Sequence, residues 1–285
     1  MPHDPIAIAL AEDIGAGDVT SQIFIPAEAR GNARIIAKES AIAAGIETAA
    51  EVFARIDPQL QITQVCKSGS KVSSGETVLE INGTVRSLLT GERVALNFLQ
   101  RLSGIATLTR RFVDAISGTR AKILDTRKTA PGLRALEKAA VVAGGGQNHR
   151  FGLFDLAMLK DNHLAARKTS TSLREDFERF RKAHPGLRIE VEADTLDQVR
   201  EFLKIGGIDI ILLDNMNHSQ IREAVHLGAS AGSGVLFEAS GGVTLESVRA
   251  IAATGVDFIS VGALTHSAPA IDFSLELMPD DVTFE

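Results

Sequence analysis

The sequence predicts an α/β protein in which a small mixed domain of strands and helices precedes a parallel (β/α) barrel. Three observations support this prediction. The amino-terminal third contains short alternating segments separated by glycine- and serine-rich turns. Beyond it, largely apolar runs end in polar or glycine clusters, and amphipathic stretches of helical spacing lie between them. Strands buried on both faces and separated by helices are typical of a parallel sheet, and regularly recurring polar strand ends are typical of a barrel.

Two strands and one long helix are predicted in the first part of the chain. Residues 33–37 and 77–81 alternate as strands do, and Asn82-Gly83 is predicted to form the turn that follows. From Thr90 onward, apolar residues recur at steps of three and four, which predicts a long helix with Thr90 as its N-cap. We expect this helix to join the two parts of the protein.

Six short runs are predicted to form the barrel strands. They fall at residues 123–124, 156–159, 189–192, 208–213, 235–237 and 258–261. Between two of them, Leu196, Val199, Phe202 and Leu203 have the spacing of an amphipathic helix. Because barrel proteins place substrate residues at the carboxyl ends of their strands, the polar residues that follow these runs are the candidates for function.

The composition is that of a globular protein, with 285 residues of which 45% are hydrophobic and 23% are charged. The single cysteine, Cys66, can form neither an intrachain disulfide nor a multi-cysteine metal site. With no membrane-spanning apolar run and no basic leader, the sequence predicts a cytoplasmic protein without membrane association. A net charge of −6 and the absence of Trp and Tyr argue against broad nucleic-acid binding. An anionic ligand therefore requires a local basic cluster.

Such a cluster follows the first two barrel strands. It contains two arginines, two lysines and two histidines, namely Arg127, Lys128, His149, Arg150, Lys160 and His163. An arginine guanidinium can donate two hydrogen bonds to one carboxylate or phosphate, and a lysine supplies a compact positive charge. The mixture therefore suits a small polyanion. A solvated basic surface is the alternative, and for any single member of the set it is the commoner explanation.

Carboxylates and glycines end the later strands. Glu190 and Glu192 share one face of their strand because side chains alternate, and Asp214 ends the next strand. These acids suit Mg²⁺ bound to phosphates, a developing positive charge, or simple pairing with the lysines. Glycines in Ser240-Gly241-Gly242 and at Gly262-Ala263 follow the last two strands, where such barrels bind phosphate, although tight turns need glycine as well.

Other catalytic motifs are missing from the sequence. It contains no G-x-S-x-G and no H-E-x-x-H, and the triplet Gly144 to Gly146 does not follow a strand as a dinucleotide fingerprint requires. Serine hydrolases, zinc proteases and Rossmann dehydrogenases are therefore disfavoured.

The sequence resembles the nicotinate-nucleotide pyrophosphorylases, also called quinolinate phosphoribosyltransferases, along nearly its whole length. The matching blocks are EDIGAGDVTS (12–21), GERVALNFLQRLSGIAT (91–107), DTRKTAPGLR (125–134), GGGQNHRFGLFD (144–155), LKDNH (159–163), EVE (190–192), LLDNM (212–216), EASGG (238–242) and ISVGALTHS (259–267). The resemblance implies an N-terminal α/β sandwich domain, a C-terminal incomplete α/β barrel, and a homodimer whose active site is completed by the partner. We place the domains at 1–105 and 106–270, with a tail at 271–285 that packs back on the first.

The reaction implied by the resemblance joins quinolinate to 5-phosphoribosyl-1-pyrophosphate (PRPP) with Mg²⁺, and gives nicotinate mononucleotide, CO₂ and pyrophosphate. Arg127, His149, Arg150 and Lys160 then correspond to ligands of the quinolinate carboxylates and of the ribose pyrophosphate, and Lys128 to a further phosphate contact. Arg101 corresponds to a residue delivered from the neighbouring subunit.

The remaining roles that the resemblance implies fall on the later strand ends. Glu192 and Asp214 correspond to the acids that face the ribose and its metal, and with Lys160 they are the expected catalytic residues. Ser240, Gly241 and Gly242, with Gly262 and Ala263, correspond to the 5′-phosphate loop. Two positions depart from the family's usual residues, Ala130 and Ala139, and neither is assigned to the chemistry.

Two other functions fit the same residues. A phosphoribosyltransferase of this fold that uses nicotinate or another aromatic acid needs fewer cations, because nicotinate carries one carboxylate where quinolinate carries two. A non-catalytic protein that binds phosphorylated metabolites can use the same cations and glycines. Glu192 and Asp214 argue against that protein, because carboxylates near phosphates weaken anion binding unless a metal or a developing positive charge needs them.

Overall fold

A computed structural model describes residues 4–166, 172–278 and 282–284 of the chain. It contains two compact units, each assembled from separate chain segments. The sandwich unit comprises Met1–Arg110, Thr129–Gly145 and Leu264–Glu285, and the barrel unit comprises Arg111–Lys128 and Gly146–Ala263. No helix in the described part of the chain combines the length and apolarity that crossing a bilayer requires.

Helices and strands occur along the whole described part of the chain. The first part contains α1 (Pro5–Ile14), α2 (Val19–Phe24), β1 (Ala29–Ala37), β2 (Ala41–Ile42), α3 (Ile46–Ile56), β3 (Gln61–Gln64), β4 (Lys71–Val72), β5 (Thr77–Thr84), α4 (Val85–Ala115), β6 (Lys122–Leu124) and α5 (Arg134–Ala143). The second part contains β7 (Ala157–Leu159), α6 (Asp161–Ala166), α7 (Leu173–Ala183), β8 (Ile189–Ala193), α8 (Leu196–Ile205), β9 (Ile210–Asp214), α9 (His218–Ala231), β10 (Leu236–Ser240), α10 (Val248–Ala252), β11 (Phe258–Ser260), α11 (Ala263–His266), β12 (Phe273–Leu277) and β13 (Thr283–Phe284).

The sandwich unit is built on an antiparallel sheet in the order β12-β1-β5-β3, with β13 also paired to β1. Alternate residues of β1 are buried, including Ala33, Ile35 and Ala37, so one face of the strand packs on the core. Helix α3 packs on this sheet through Ile46, Val52 and Phe53, which are fully buried. Strand β12, from the expected carboxyl-terminal tail, lies beside β1.

The turn predicted at Asn82-Gly83 is wrong. Both residues continue β5, opposite Asn32 and Gly31 of β1. The Asn82 side-chain amide donates to Asn32 Oδ1 at 2.5 Å, and a Cβ at Gly83 would lie 2.3 Å from Leu60 Cδ2. Cross-strand pairing and a close side-chain approach therefore account for a pair that usually marks a turn.

The long helix was predicted correctly in kind but not in its start. Helix α4 begins at Val85, directly after β5, so Thr90 lies inside it and is not its N-cap. The Thr90 hydroxyl donates to Asp18 Oδ2 at 3.1 Å, which ties α4 to α2. The division between the two units falls within α4, after Arg110.

The barrel unit contains six parallel strands in the order β6-β11-β10-β9-β8-β7. The ladder is open between β6 and β7, which makes the barrel incomplete as predicted. Residues such as Ile189, Ile211 and Leu213 are fully buried, as parallel strands covered by helices require. A single bridge between Leu124 and Gln147 extends the sheet beyond β6. The domain limits 1–105 and 106–270 stay a prediction.

Candidate active site

The barrel strands carry an acidic cluster at their carboxyl ends. Strands β8 and β9 are paired so that Glu192 lies beside Leu212, and Asp214 follows two residues later on the same face. Carboxylate oxygens of Glu192, Asp194 and Asp214 lie within 4.8 Å of one another. Glu192 is buried, Asp214 is half-buried and Asp194 is exposed. The two predicted acids therefore meet in the fold, and a third joins them.

Asp194 was missed in the sequence, although a pattern could have found it. It follows Glu190 and Glu192 at the same two-residue interval, so the alternation that groups those acids also includes Asp194. The predicted run ended at Glu192, whereas strand β8 extends to Ala193. This short extension places Asp194 immediately after the strand, beside Asp214.

Lys160 brings a positive charge to the acidic cluster. It follows β7, and its ammonium donates to Glu192 Oε2 in an ion pair. Its backbone N–H donates to Nδ1 of exposed His163 at 3.0 Å, which holds the start of α6. The simple lysine–carboxylate pairing that the sequence leaves open beside metal binding is therefore present for Glu192. Asp194 and Asp214 complete the cluster.

Two arginines form a cationic patch beside β6. Burial lowers the pKa of the Arg150 guanidinium, and the positive charge of Arg127 lowers it further, so the two side chains lie close enough to repel. Both are half-buried, whereas neighbouring Lys128 is exposed. Like charges held together in this way favour an anionic ligand, because the anion relieves their repulsion.

Buried Asp125 places the two cationic loops side by side. Its Oδ1 accepts the backbone N–H of His149 at 2.8 Å, and its own N–H donates to the Gln147 carbonyl at 3.1 Å. Because Asp125 follows β6, these contacts align the loop carrying Arg127 with the segment carrying Arg150. Asp125 was part of a matching block but had no predicted role, since nothing in the sequence shows which backbone group it accepts.

His149 faces two buried acids inside the barrel. Its Nε2 lies 3.2 Å from Glu190 Oε2 and 3.5 Å from Glu238 Oε2, and its side chain is 8% exposed. Its Nδ1 accepts the backbone N–H of Arg150 at 2.7 Å. Burial disfavours the charged imidazole, but the close contact with the Glu190 carboxylate and the charge of Glu238 outweigh burial, so the pKa of His149 is raised.

Glu238 holds its proton to unusually high pH. Burial and the neighbouring charge of Glu190 raise its pKa to about 8, against the lowering effects of His149 and Ser260. A cavity of about 350 Å³ opens onto this cluster. The cavity is lined by Leu124, Gln147, Asn148, His149, Arg150, Asp155, Leu156, Gly186, Arg188, Glu190, Ile210, Glu238 and Phe258.

The predicted phosphate residues form turns at neighbouring strand ends. Ser240 ends β10 and Gly262 follows β11, and these two strands are paired. Gly241 and Gly242 have φ values of +98° and +57°, and a Cβ at Gly241 would lie 2.1 Å from Asn215 Oδ1. Nothing approaches a Cβ at Gly242, so that backbone faces open space. Ala263 begins the short helix α11.

Arg101 lies in the sandwich unit, on α4, and is 39% exposed. Its Nε donates to Glu137 Oε1 at 2.8 Å, its Nη2 donates to the same oxygen, and Nη2 also reaches the Thr265 carbonyl at 3.2 Å. Glu137 was not predicted, because a lone acid on an amphipathic helix gives no indication of a partner 36 residues away. The role of Arg101 in a neighbouring subunit stays a prediction.

Together these features define an α/β-barrel protein that carries cations, acids and glycine turns at the carboxyl ends of its strands. Barrels of this class use that end to bind and transform small ligands. The arrangement fits a phosphorylated or carboxylated small molecule.

Comparison with known proteins identifies the family. Residues 18–103 match the quinolinate phosphoribosyl transferase N-terminal domain and residues 105–276 match its C-terminal domain, so the chain belongs to the quinolinate phosphoribosyltransferase family. This confirms the resemblance and the fold class given by the sequence. Similar proteins of this family carry the name nicotinate-nucleotide pyrophosphorylase [carboxylating], which is a pentosyltransferase.

Three similar proteins illustrate the match. A probable nicotinate-nucleotide pyrophosphorylase [carboxylating] of Bacillus subtilis is 45% identical over 93% of this chain and 90% of its own. A mitochondrial quinolinate phosphoribosyltransferase [decarboxylating] of Nicotiana glauca is 43% identical over 95% of this chain and 80% of its own. The solved nicotinate-nucleotide pyrophosphorylase of Francisella tularensis is 40% identical, with a TM-score of 0.87 over 96% of this chain and 94% of that one.

Proposed function

We propose that this protein is a quinolinate phosphoribosyltransferase (decarboxylating) of NAD biosynthesis, which converts quinolinate and PRPP to nicotinate mononucleotide, CO₂ and pyrophosphate. The observation that carries the proposal is the meeting of Lys160, Glu192 and Asp214 at the strand ends of a chain that matches both family domains. This combination supports a ribosyl transfer, because the anionic substrates need cations and the positive charge that develops on the ribose needs carboxylates.

The cations account for the two anionic substrates. Quinolinate carries two adjacent carboxylates, and Arg127 and Arg150 present two neighbouring guanidinium groups, each able to bind a carboxylate in two places. Lys128 is exposed next to Arg127 and is assigned to a phosphate. The glycine turns at Gly241 and Gly242 and the start of α11 at Ala263 are assigned to the 5′-phosphate of PRPP.

The acids account for the transition state. As pyrophosphate leaves C1 of the ribose, positive charge develops on the sugar ring, and preorganised carboxylates stabilise that charge. Glu192 and Asp214 are assigned to this role. Lys160 neutralises Glu192 before substrate binds, and its ammonium is available to a substrate anion afterwards.

Mg²⁺ fits the same acidic cluster. Its usual protein ligands are one or two carboxylates, completed by substrate phosphates and waters, and oxygens of Glu192, Asp194 and Asp214 lie within 4.8 Å of one another. Glu192 and Asp214 are the assigned ligands, with Asp194 at the exposed side. Held there with PRPP, Mg²⁺ would supply positive charge to offset that of the pyrophosphate.

Exposed apolar side chains support a homodimer that shares its active sites. In the sandwich unit Val19, Ile23 and Phe24 of α2 are 70%, 75% and 75% exposed. In the barrel unit Leu153 and Phe154 are 75% and 73% exposed, within a segment that follows the Asn148-His149-Arg150 motif. Large exposed apolar residues in groups mark interaction surfaces. We assign the dimer surface to these residues, and Arg101 to the active site of the partner subunit.

We place the protein in the cytoplasm, without nucleic-acid or membrane partners.

The test is an incubation with quinolinate, PRPP and Mg²⁺, followed by measurement of nicotinate mononucleotide and released CO₂. Parallel reactions with nicotinate in place of quinolinate separate the two acceptors, because only quinolinate releases CO₂. We expect turnover with quinolinate and none with nicotinate. Product from nicotinate only would identify the protein as a phosphoribosyltransferase that uses nicotinate. PRPP binding without turnover of either acid would identify it as a non-catalytic binding protein. Omission of Mg²⁺ should abolish turnover.

A further inference from the structure

Glu137 is a buried acid that the assigned chemistry does not use. It lies on α5 and is 0% exposed. One carboxylate oxygen accepts hydrogen bonds from both Nε and Nη2 of Arg101. The other accepts a hydrogen bond from the backbone N–H of Ala130 at 3.2 Å. A carboxylate removed from water requires such partners, and a fork of two donors from one arginine is geometrically demanding. Glu137 therefore fixes the guanidinium as well as neutralising it.

The contacts of Arg101 leave one side of the guanidinium for a ligand. Nε faces Glu137, and Nη2 is shared between Glu137 and the Thr265 carbonyl. Among the residues that the structure describes, no hydrogen bond or ion pair involves Nη1 of Arg101. The side chain is 39% exposed. In the described part of the chain, Nη1 of Arg101 thus keeps its donors for a ligand while Nε and Nη2 are held.

We propose that Glu137 is a positioning residue that orients Arg101 so that Nη1 meets a substrate carboxylate in the partner subunit's active site. The inference rests on the proposed function and extends it to a residue without an assigned role. A held guanidinium binds an anion more tightly than a mobile one, because less side-chain freedom is lost on binding. Ala130 belongs to the DTRKTAPGLR block, so the same carboxylate also fixes the backbone of that segment.

The first test is a double-mutant cycle on steady-state kinetics of the full-length protein. Glu137→Gln and Arg101→Ala should each raise the KM for quinolinate by about tenfold and leave the KM for PRPP within about twofold, because one charge-assisted contact is weakened. If Glu137 acts through Arg101, adding Glu137→Gln to Arg101→Ala should change kcat/KM by less than about twofold. Independent, multiplying effects would overturn the proposal.

A matched control is available in the same unit. Glu51 pairs with Arg55 on the surface of α3, with Oε1 at 2.7 Å from Nε, and Glu51→Gln should leave the KM for quinolinate unchanged. Should Glu137→Gln fail to fold, Arg101→Lys tests the same idea, because it keeps the charge opposite Glu137 and loses the fork. It should raise the KM for quinolinate with the melting temperature nearly unchanged, and an unaltered KM would overturn the proposal.

Subunit mixing shows whose active site Glu137 serves. Each site takes Lys160 from one chain and Arg101 from the other, so Arg101→Ala and Lys160→Ala subunits should form mixed dimers with one intact site, recovering about a quarter of wild-type activity. Because Glu137 acts through Arg101 of its own chain, Glu137→Gln subunits should restore activity when mixed with Lys160→Ala subunits. They should not restore it when mixed with Arg101→Ala subunits. The reverse pattern would overturn the proposal.

The proposed function and this inference can fail separately. If Arg101→Ala and Lys160→Ala subunits exchange and recover nothing, the shared site is wrong, and the placement of Nη1 in the partner's active site fails with it. The kinetic cycle on each homodimer then still decides whether Glu137 acts through Arg101. If no variant or wild-type protein turns over quinolinate, the proposed function itself fails, and with it the proposal for Glu137.

Discussion

The buried proton on Glu238 predicts that stability falls as the pH rises through neutrality. The pKa of this carboxyl is raised to about 8 from a model-compound value of 4.5. Between these two values the folded protein holds a proton that the unfolded chain releases. Deprotonation therefore favours unfolding, and the free energy of unfolding decreases with pH across this interval. The stabilisation is complete below about pH 4.5 and is lost as the pH passes about 8.

The slope is set by the number of protons involved. One proton held across this interval changes the free energy of unfolding by about 1.4 kcal/mol per pH unit. Besides Glu190 and His149, which lie beside Glu238, the charge of Asp125 raises its pKa and Ser260 lowers it. The raised pKa of His149 acts in the same direction, because its proton is also lost from the folded state at higher pH.

Urea unfolding of wild type and of Glu238→Gln at several pH values between 5 and 8.5 measures this slope. The amide is nearly isosteric and carries no titrating proton, so the stability of wild type relative to the variant should fall with pH by up to about 1.4 kcal/mol per unit. Glu201→Gln, on the exposed surface of α8, is the control and should track wild type. Parallel pH profiles for wild type and Glu238→Gln would refute a buried proton on this carboxyl.

Three further substitutions test the site. Lys160→Ala should lower turnover by about tenfold to a hundredfold, because one charged contact contributes about 1.5–3 kcal/mol, with little change in melting temperature. Asp194→Asn should raise the Mg²⁺ concentration needed for half-maximal activity by severalfold, as measured by titration of the ion at saturating PRPP. Gly241→Ala should weaken PRPP binding and lower stability by at least about 1 kcal/mol, because φ is +98° and a Cβ meets Asn215.

Each of these predictions has a contrary outcome. Unchanged turnover with a lower melting temperature in Lys160→Ala would make that lysine structural. An unaltered Mg²⁺ requirement in Asp194→Asn would leave Asp194 outside the metal site. Gly75 has φ of +88° with nothing near a Cβ, so Gly75→Ala shares the backbone strain but not the clash. If Gly75→Ala and Gly241→Ala weaken PRPP binding equally, the turn at Gly241 has no part in holding phosphate.

The barrel and its acidic cluster were predictable because local rules decide them. Apart from Asp209, the run 208–213 is apolar on both faces, which is typical of a covered parallel strand, and β9 occupies Ile210–Asp214. Two-residue alternation then aligns Glu190 with Glu192, and both are buried. Strand pairing brings Asp214 to the same cluster. These steps need only periodicity and the common orientation of parallel strands.

Features decided by distant contacts were not predictable. Thr90 resembles an N-cap, but β5 leads straight into α4, and the Thr90 hydroxyl bonds to Asp18 instead. Asn82 resembles a turn residue until its partner Asn32 is placed opposite. The pairing of Arg101 with Glu137, and the contact of His149 with both Glu190 and Glu238, depend on how separate elements meet. No local sequence pattern indicates such contacts between distant residues.

The pairing of β12 with β1 affects the order in which this chain can fold during synthesis. Lys38, directly after β1, forms an ion pair with Glu276 of β12, although the two residues are 238 positions apart. A ribosome releases the residues of β1 long before those of β12, so the edge of β1 that faces β12 lacks its hydrogen-bond partner while the whole barrel segment is being made. An exposed edge of this kind is a template for pairing with other chains. Nascent chains should therefore be most prone to aggregate before residue 273 emerges, and a chaperone that shields β1 should raise the yield.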